Sequence, residues 1–184
     1  CGDEFFGYTN TCCSNFHTIT NFASDFINEI RNKVDGDSTI KSAVVSFATN
    51  GILESGFSED DSATLTMLAN LEYTGGYTNH QDAINFCNNQ FPNDENSKNI
   101  IVLVTDGVPT RPGEGQEPSI FGLEAAEDAK NDGALILPVF VTTSYTGDQY
   151  DNSISYMQDI SNAGTDQDKI WEAIDFDDLA NLVS

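Results

Sequence analysis

The feature that most constrains the fold is an uninterrupted apolar run, Ile-Ile-Val-Leu-Val at residues 100–104, which is followed closely by Asp106-Gly107. A strand with one solvated face alternates apolar and polar residues, so a continuous run indicates a strand buried on both faces. Such strands belong to parallel sheets, whose neighbouring strands are joined by crossover connections, usually helices. The run therefore predicts a strand over 99–105 inside an α/β protein.

The rest of the chain alternates between helical and strand patterns. Apolar residues recur at three- and four-residue spacing behind Ser14, which predicts a helix over 14–34 capped by that serine. Asn50-Gly51 predicts a tight hairpin between two strands. A short helix is expected after an acidic cap, Glu59-Asp60-Asp61, that Ser58 opens. Further helices are expected over 79–90, 119–131 and 149–162, and from 177, with strands over 42–47, 52–57, 134–141 and 169–174.

This order of elements predicts an α/β fold with a doubly wound, mostly parallel open sheet and one antiparallel edge strand. The length of 184 residues suits one domain over 1–184, in which residues 1–13 are expected to form a loop pinned by cysteines. No run of about 18 apolar residues occurs, so membrane insertion is not expected.

The strongly acidic composition excludes some classes of binding partner. Thirty acidic residues against seven basic ones give a formal net charge of −23. A field of this sign repels nucleic acid and anionic membrane surfaces, so neither is expected as a partner. It is compatible with divalent cations and basic partners, although most of the acids are equally explained as a solubilising surface.

Four cysteines are present, at positions 1, 12, 13 and 87. A bridge between the neighbours Cys12 and Cys13 would be strained, so Cys1 and Cys87 are expected to pair with them in one order or the other. Two disulfides would indicate an oxidising, secreted or cell-surface location. The alternative is four free thiols in an intracellular protein.

Two polar residues stand where ligands bind in open parallel sheets, at the carboxyl ends of strands. Asp106 follows the most apolar strand, and Thr78 follows Gly75 and Gly76, whose backbone freedom allows the loop to aim its side chains. A hydroxyl and a carboxylate are oxygen ligands suited to Mg²⁺ or Ca²⁺. The ordinary alternative is that Asp106 caps the backbone N–H groups of a turn.

Motifs that would indicate an enzyme are missing from the sequence. His17 has no evident nucleophile as a partner, no Gly-x-Ser-x-Gly elbow occurs, and the glycine loop lacks the Gly-Lys-Ser/Thr ending of a phosphate-binding loop. No Gly-x-Gly-x-x-Gly turn follows a strand. His80 follows the glycine loop and is expected on the surface of the helix, with a place at the rim of the site as the alternative. The sequence therefore favours a binding protein over an enzyme.

Four segments in the expected order resemble the von Willebrand factor type A (integrin I-like) domain. They are Ile-Val-Leu-Val-Thr-Asp-Gly at 101–107, Thr-Gly-Gly-Tyr-Thr at 74–78 followed by Ala-Ile at 83–84, the amphipathic helix that follows 14–16, and Trp-Glu-Ala-Ile-Asp-Phe-Asp-Asp-Leu at 171–179. The resemblance covers nearly all of 14–184.

The resemblance implies a metal-ion-dependent adhesion site, at which an acidic side chain of a partner completes the coordination of the ion. In the family, ligands come from an Asp-x-Ser-x-Ser motif after the first strand, a Thr of the glycine loop and an Asp after a later strand. Thr78 and Asp106 match the last two. The implied cofactor is Mg²⁺ or Ca²⁺, provided that the missing motif is supplied.

Neither the Asp-x-Ser-x-Ser motif nor the family's first central strand is found before Ser14. An empty central position in a sheet leaves two rows of backbone groups unpaired, which is costly. We expect residues upstream of Cys1, a strand donated by another chain, or a rearranged topology to resolve this conflict.

Three functions are compatible with these observations. The first is an extracellular adhesion module that engages a partner protein. The second is a structural subunit of a surface filament or extracellular matrix, which packs against neighbouring subunits and has a vestigial site. The third is an intracellular assembly scaffold.

Overall fold

The computed structural model describes residues 10–34, 38–92, 94, 96–111, 115–142, 145–162 and 170–182, without the side chains of residues 10–13, 61, 177 and 180. The elements within these ranges alternate as the sequence predicts. They are α1 (Asn10–Lys33), β1 (Ser42–Phe47), β2 (Gly51–Ser58), α2 (Asp61–Ala69), α3 (His80–Gln90), β3 (Ile100–Thr105), α4 (Pro118–Asn131), β4 (Leu135–Val141), α5 (Asp148–Ile160), β5 (Trp171–Ala173) and a closing 3₁₀ helix (Asp177–Leu182).

The strands form two sheets. β1 and β2 make an antiparallel hairpin, and β3, β4 and β5 make a parallel sheet in which β4 is central. The α/β class, the parallel sheet and the antiparallel pair are therefore confirmed. Within the described ranges, no strand pairs with both β1 and β3. The first central strand that the resemblance implies is therefore not among the described elements.

Two apolar clusters cover the two faces of the parallel sheet. One contains Ile101 and Leu103 of β3 with residues of α3, α4 and α5. The other contains Phe22 of α1 with β4, β5 and the closing 3₁₀ helix. The prediction that β3 is fully buried on both faces is wrong in part, because Val102 and Val104 are half-buried on the second face.

Helix α3 packs on both sheets. It contacts β1 and β2 on one side, β3 on the other, and α4 along its length. The amide nitrogen of Gly51, at the start of β2, donates a hydrogen bond to the Asp82 carboxylate of α3 at 3.2 Å. Since the hairpin and the parallel sheet share no strand pairing in the described structure, α3 is a main link between them.

Several predicted boundaries need correction at their caps. α1 begins at Asn10, so Ser14 lies inside the helix and residues 10–13 are helical rather than part of a loop. Residues 1–9 lie outside the described structure. The predicted acidic cap of α2 is confirmed, because Asp60 is the cap and its carboxylate accepts a hydrogen bond from Ala63 N at 3.2 Å. The closing helix is of the 3₁₀ type.

Cys87 is a free thiol in the structure. It lies half-buried on α3 against the first apolar cluster, and burial raises the pKa of this thiol to about 11. The structure therefore does not bear out a disulfide at Cys87. Pairing among Cys1, Cys12 and Cys13 stays a prediction, since their side chains lie outside the described structure. No helix in the described ranges is long and apolar enough to cross a membrane.

Gly122 of α4 provides a test of how tightly the helices pack. A Cβ at this position would overlap the hydroxyl of Tyr156 on α5. In a helix interior, alanine is normally more favourable than glycine by about 1 kcal/mol. We nevertheless expect Gly122→Ala to lower the free energy of unfolding by about 1–3 kcal/mol, because an overpacked core must displace Tyr156.

Urea unfolding measures this change, and Gly56→Ala is the control. Gly56 is exposed on β2, and no atom lies within 4 Å of a Cβ added there. The free energy of unfolding of Gly56→Ala should therefore differ from that of the wild type by less than about 0.5 kcal/mol. A Gly122→Ala protein as stable as the wild type would contradict the described packing of α4 on α5.

Candidate functional site

The structure brings the two predicted site residues to the same place. Asp106 directly follows β3, and Thr78 ends the loop before α3. A Cβ built on Gly107 would lie 3.7 Å from Thr78 Oγ1 and 3.4 Å from Tyr145 Oη. We call the surface formed by residues 74–79, residues 106–111 and Tyr145 the site face. It lies at the carboxyl end of β3, as the sequence predicts.

The glycine loop is fastened to the turn of the hairpin. Gly75 and Gly76 have positive φ angles of 62° and 113°. A Cβ on Gly76 would lie only 2.7 Å from Thr49 Oγ1, so both the conformation and the close approach require glycine. The side chain of Asn79 donates to Thr49 O at 3.0 Å and accepts from Asp82 N at 3.1 Å, which also caps α3.

The same loop is fastened on its other side to the segment after β3. Thr78 N donates to Thr110 Oγ1 at 2.9 Å. Thr78 O accepts from Thr110 N at 2.8 Å and from Arg111 N at 3.1 Å. Thr78 is therefore held between segments that belong to the two separate sheets.

A buried hydrogen-bond chain supports the turn at Gly107. His80 Nδ1 lies 3.1 Å from Tyr156 Oη, and its Nε2 lies 3.2 Å from Thr105 Oγ1. Thr105 Oγ1 also donates to Gly107 O at 3.0 Å. Because the threonine hydroxyl has a single proton, Nε2 of His80 donates to Thr105 and Nδ1 accepts from Tyr156. This series of hydrogen bonds connects α5 through α3 to the turn beside Asp106.

The position of His80 corrects the sequence-based expectation of a surface residue. Its side chain is fully buried, with the Phe47 ring in an edge contact at 5.6 Å. Burial lowers the pKa of His80 to about 3, so the imidazole is neutral at physiological pH. Sequence reasoning missed it because one histidine in an amphipathic helix carries no signal of burial.

Asp106 does not cap the turn, which was the ordinary alternative for this residue. The Thr105 hydroxyl accepts the hydrogen bond from Gly107 N at 3.3 Å. The side chain of Asp106 is exposed, and it accepts no hydrogen bond from the residues that the structure describes. No described residue therefore competes with a ligand for its carboxylate.

The described residues do not complete a metal site. No group of three or more His, Cys, Asp and Glu side chains in the described ranges is arranged to hold an ion. Mg²⁺ requires about six oxygen ligands, and Thr78 with Asp106 supplies too few for tight binding even with several waters. The two residues match part of a site and need further oxygens.

An aromatic–cation pair, which sequence reasoning did not predict, borders the site. The guanidinium carbon of Arg111 lies 4.4 Å from the ring centroid of Tyr77. Tyr77 is 52% exposed, and Arg111 is exposed as well. Tyr145 is also part of this border, because its hydroxyl accepts from Val108 N at 3.2 Å. The site face thus combines a carboxylate, hydroxyl groups and one guanidinium.

The fold defines a class of protein: an α/β domain of the doubly wound type, whose candidate site lies beside the carboxyl end of β3. A family model of the von Willebrand factor type A domain matches residues 8–108, which is more than half of the chain. The chain belongs to the von Willebrand factor type A domain family. No curated protein sequence matches it.

Similar solved structures support the fold. Proximal thread matrix protein 1 from the mussel byssus superposes with a TM-score of 0.69 at 21% identity, covering 92% of this chain and 39% of that one. The pilus adhesin SpaC from Lactobacillus rhamnosus GG gives 0.71 at 15%, covering 96% and 28%. The domain of the type V pili tip protein Mfa5 from Porphyromonas gingivalis gives 0.70 at 11%, covering 91% and 86%.

Another structure of the mussel protein has zinc in its metal-ion-dependent adhesion site motif, with a TM-score of 0.71 at 13% identity. The chain spans less than half the length of the mussel protein and of the pilus adhesin. At these identities the likeness concerns the fold alone.

The buried histidine makes stability depend on pH. Its pKa is lower in the folded protein, at about 3, than its usual 6.5, so the unfolded state binds the proton first. The stabilising contribution is complete above pH 6.5 and is lost as the pH falls toward 3. We expect His80 to contribute a slope of up to about 1.4 kcal/mol per pH unit between pH 6 and 4.

Urea unfolding of the wild type and His80→Gln over this pH range isolates the contribution, because the carboxylates are common to both proteins. His17→Gln is the matched control, since His17 is exposed on α1. It should retain the wild-type slope. A slope in His80→Gln equal to that of the wild type would contradict a buried neutral imidazole.

Proposed function

We propose that the chain is a protein-binding module of the adhesion type, which engages a partner protein through the site face at a secreted or cell-surface location. The observation that carries the proposal is the arrangement of Thr78 and Asp106. Both lie on the site face beside the carboxyl end of β3, where Thr78 is half-buried and fixed by hydrogen bonds to Thr110, and Asp106 is exposed and accepts no hydrogen bond from the described residues. We further propose that the module is not an enzyme.

The rigidity of the site face supports a binding role. Thr78 is fixed by hydrogen bonds to Thr110 and Arg111, and the turn at Gly107 is fixed through Thr105 and His80. A preformed surface loses little conformational entropy when it binds, so more of the contact energy appears as affinity. Exposed aromatic and arginine side chains such as Tyr77 and Arg111 are common binding anchors.

Mg²⁺ or Ca²⁺ belongs to the proposal only where further oxygen ligands join Thr78 and Asp106. The family relationship and the zinc-occupied site of the mussel protein support an ion at this position. The open carboxylate of Asp106 has the right chemistry for such an ion. The ion would supply a positive charge that attracts an acidic side chain of the partner.

A display library of short peptides, selected on the immobilised chain, tests the proposal without assuming a partner. We expect most selected peptides to bind Asp106→Ala about tenfold more weakly, because a hydrogen bond to a charged group contributes roughly 1.5–3 kcal/mol. Asp128→Ala is the matched control, since Asp128 is exposed on α4. Selection in Mg²⁺ and in EDTA shows whether an ion contributes.

Unchanged affinity for Asp106→Ala among most of the independent peptides would contradict the proposed site. Circular dichroism must show that the variant is folded, which we expect because Asp106 makes no hydrogen bond within the described structure. Loss of binding in EDTA would add the ion to the account. Equal binding in both buffers would exclude the ion in this chain.

A structural subunit of a surface filament or matrix is the second candidate function. The observation that favours it is the pair of strands, β1 and β3, that share no strand partner in the described ranges. Exposed strand edges pair readily with other chains. Sedimentation in EDTA distinguishes the two functions, because metal-independent self-association that is unaffected by Asp106→Ala supports the assembly role.

A further inference from the structure

We infer that Arg111, stacked on Tyr77, is a metal-independent binding point for the carboxylate of an acidic side chain on a partner protein. The inference rests on the proposed function, because Arg111 and Tyr77 belong to the same site face. In the proposed function a bound metal ion attracts the acidic side chain, whereas here the guanidinium of Arg111 binds it.

The backbone holds Arg111 beside Thr78. Arg111 N donates to Thr78 O at 3.1 Å, and the neighbouring Thr110 accepts from Thr78 N at 2.9 Å. These bonds fix the base of the side chain next to Tyr77, which directly precedes Thr78. The guanidinium then lies over the tyrosine ring, with its carbon 4.4 Å from the ring centroid. Stacking of this kind orients a guanidinium and leaves its edge open for hydrogen bonds.

Among the residues that the structure describes, no acidic side chain compensates the charge of Arg111, although the chain has thirty acidic residues. Lys33 pairs with Glu29 at 2.9 Å, and Lys41 pairs with Glu59 at 3.2 Å. No described carboxylate lies within 4.0 Å of the Arg111 guanidinium, and none of its N–H groups donates to a described residue. Within the described residues, Arg111 is thus an exposed cation without an ion pair, and no described group competes with a ligand for its guanidinium.

The surroundings favour a carboxylate over a more highly charged anion. A guanidinium edge matches the two oxygens of a carboxylate with parallel hydrogen bonds. Asp106 on the same face and the net charge of −23 repel phosphate dianions more strongly than a single carboxylate. An acidic side chain in a peptide also carries neutral groups that can contact the exposed Tyr77 ring.

Nuclear magnetic resonance titration with the blocked peptide acetyl-Gly-Gly-Glu-Gly-Gly-amide tests the inference directly. The titration is run in EDTA at about 0.15 M salt, where the Debye length of about 8 Å screens the overall charge of the chain. We expect saturable shifts of the amide resonances of Tyr77, Thr78 and Arg111. The peptide with Gln in place of Glu should produce no saturable shift.

Variants separate the guanidinium from general charge effects. We expect Arg111→Gln to weaken Glu-peptide binding by about tenfold or more, as for loss of a charged hydrogen-bonded partner. Arg111→Lys should bind with intermediate affinity, because a lysine keeps the charge without the planar edge. Lys98→Gln is the charge-matched control, since Lys98 precedes β3 at the end of the strand far from the site face, and it should bind like the wild type.

These titrations distinguish failure of the Arg111 inference from failure of the proposed function. Equal binding of the Glu and Gln peptides, or wild-type affinity in Arg111→Gln, would overturn the role of Arg111. Binding of the Glu peptide only in Mg²⁺, with loss in Asp106→Ala, would overturn it while supporting the proposed metal-dependent site. Binding of the Glu peptide in EDTA that is kept in Lys98→Gln and weakened at least about tenfold in Arg111→Gln is the result that the inference predicts.

Discussion

The structure depends on how α3 and its preceding glycine loop join two sheets that share no strand pairing in the described ranges. Asp82 of α3 holds the start of β2, and Asn79 holds the hairpin turn at Thr49. On the other side, His80 holds the end of β3 through Thr105. Buried polar contacts of this kind are costly to leave unmade, so they fix the relative position of the two sheets.

The same contacts build the site face. A loop that connects two sheets must be shaped by both, and Thr78 receives its position from the hairpin turn and from the segment at 110–111 together. The neutral His80 imidazole connects Tyr156 to the turn at Gly107 through its hydrogen bonds to the Tyr156 and Thr105 hydroxyls. Joining the two sheets and presenting Asp106 and Arg111 are thus two consequences of one arrangement.

The sequence predicts the positions of the regular elements well, because the periodicity of apolar residues depends directly on burial. β1 and the hairpin were predicted correctly, although the turn spans residues 48–50 and Gly51 already belongs to β2. Asp106 follows β3 as predicted, and Thr78 lies beside it in the loop before α3. The start of α1 was missed, because Ser14 has the chemistry of a cap but the helical backbone continues to Asn10.

Contacts between distant segments were not predictable from one sequence. The burial of His80 depends on Tyr156, which lies 76 positions away, and the stacking of Arg111 on Tyr77 joins two separate loops. The contact of Cys87 with the first apolar cluster likewise joins α3 to distant segments. Each of these features arises from the tertiary arrangement, which composition and spacing do not encode locally.

Amide hydrogen exchange along β3 tests the central claim that α3, rather than a shared strand, joins the two sheets. In a parallel strand, alternate amides point toward opposite neighbours. The amides directed at β4 should be protected close to the level of global unfolding, whereas those directed at the opposite edge should exchange at least about tenfold faster. Uniform strong protection of both sets would contradict the account, because it would require another strand to pair along this edge.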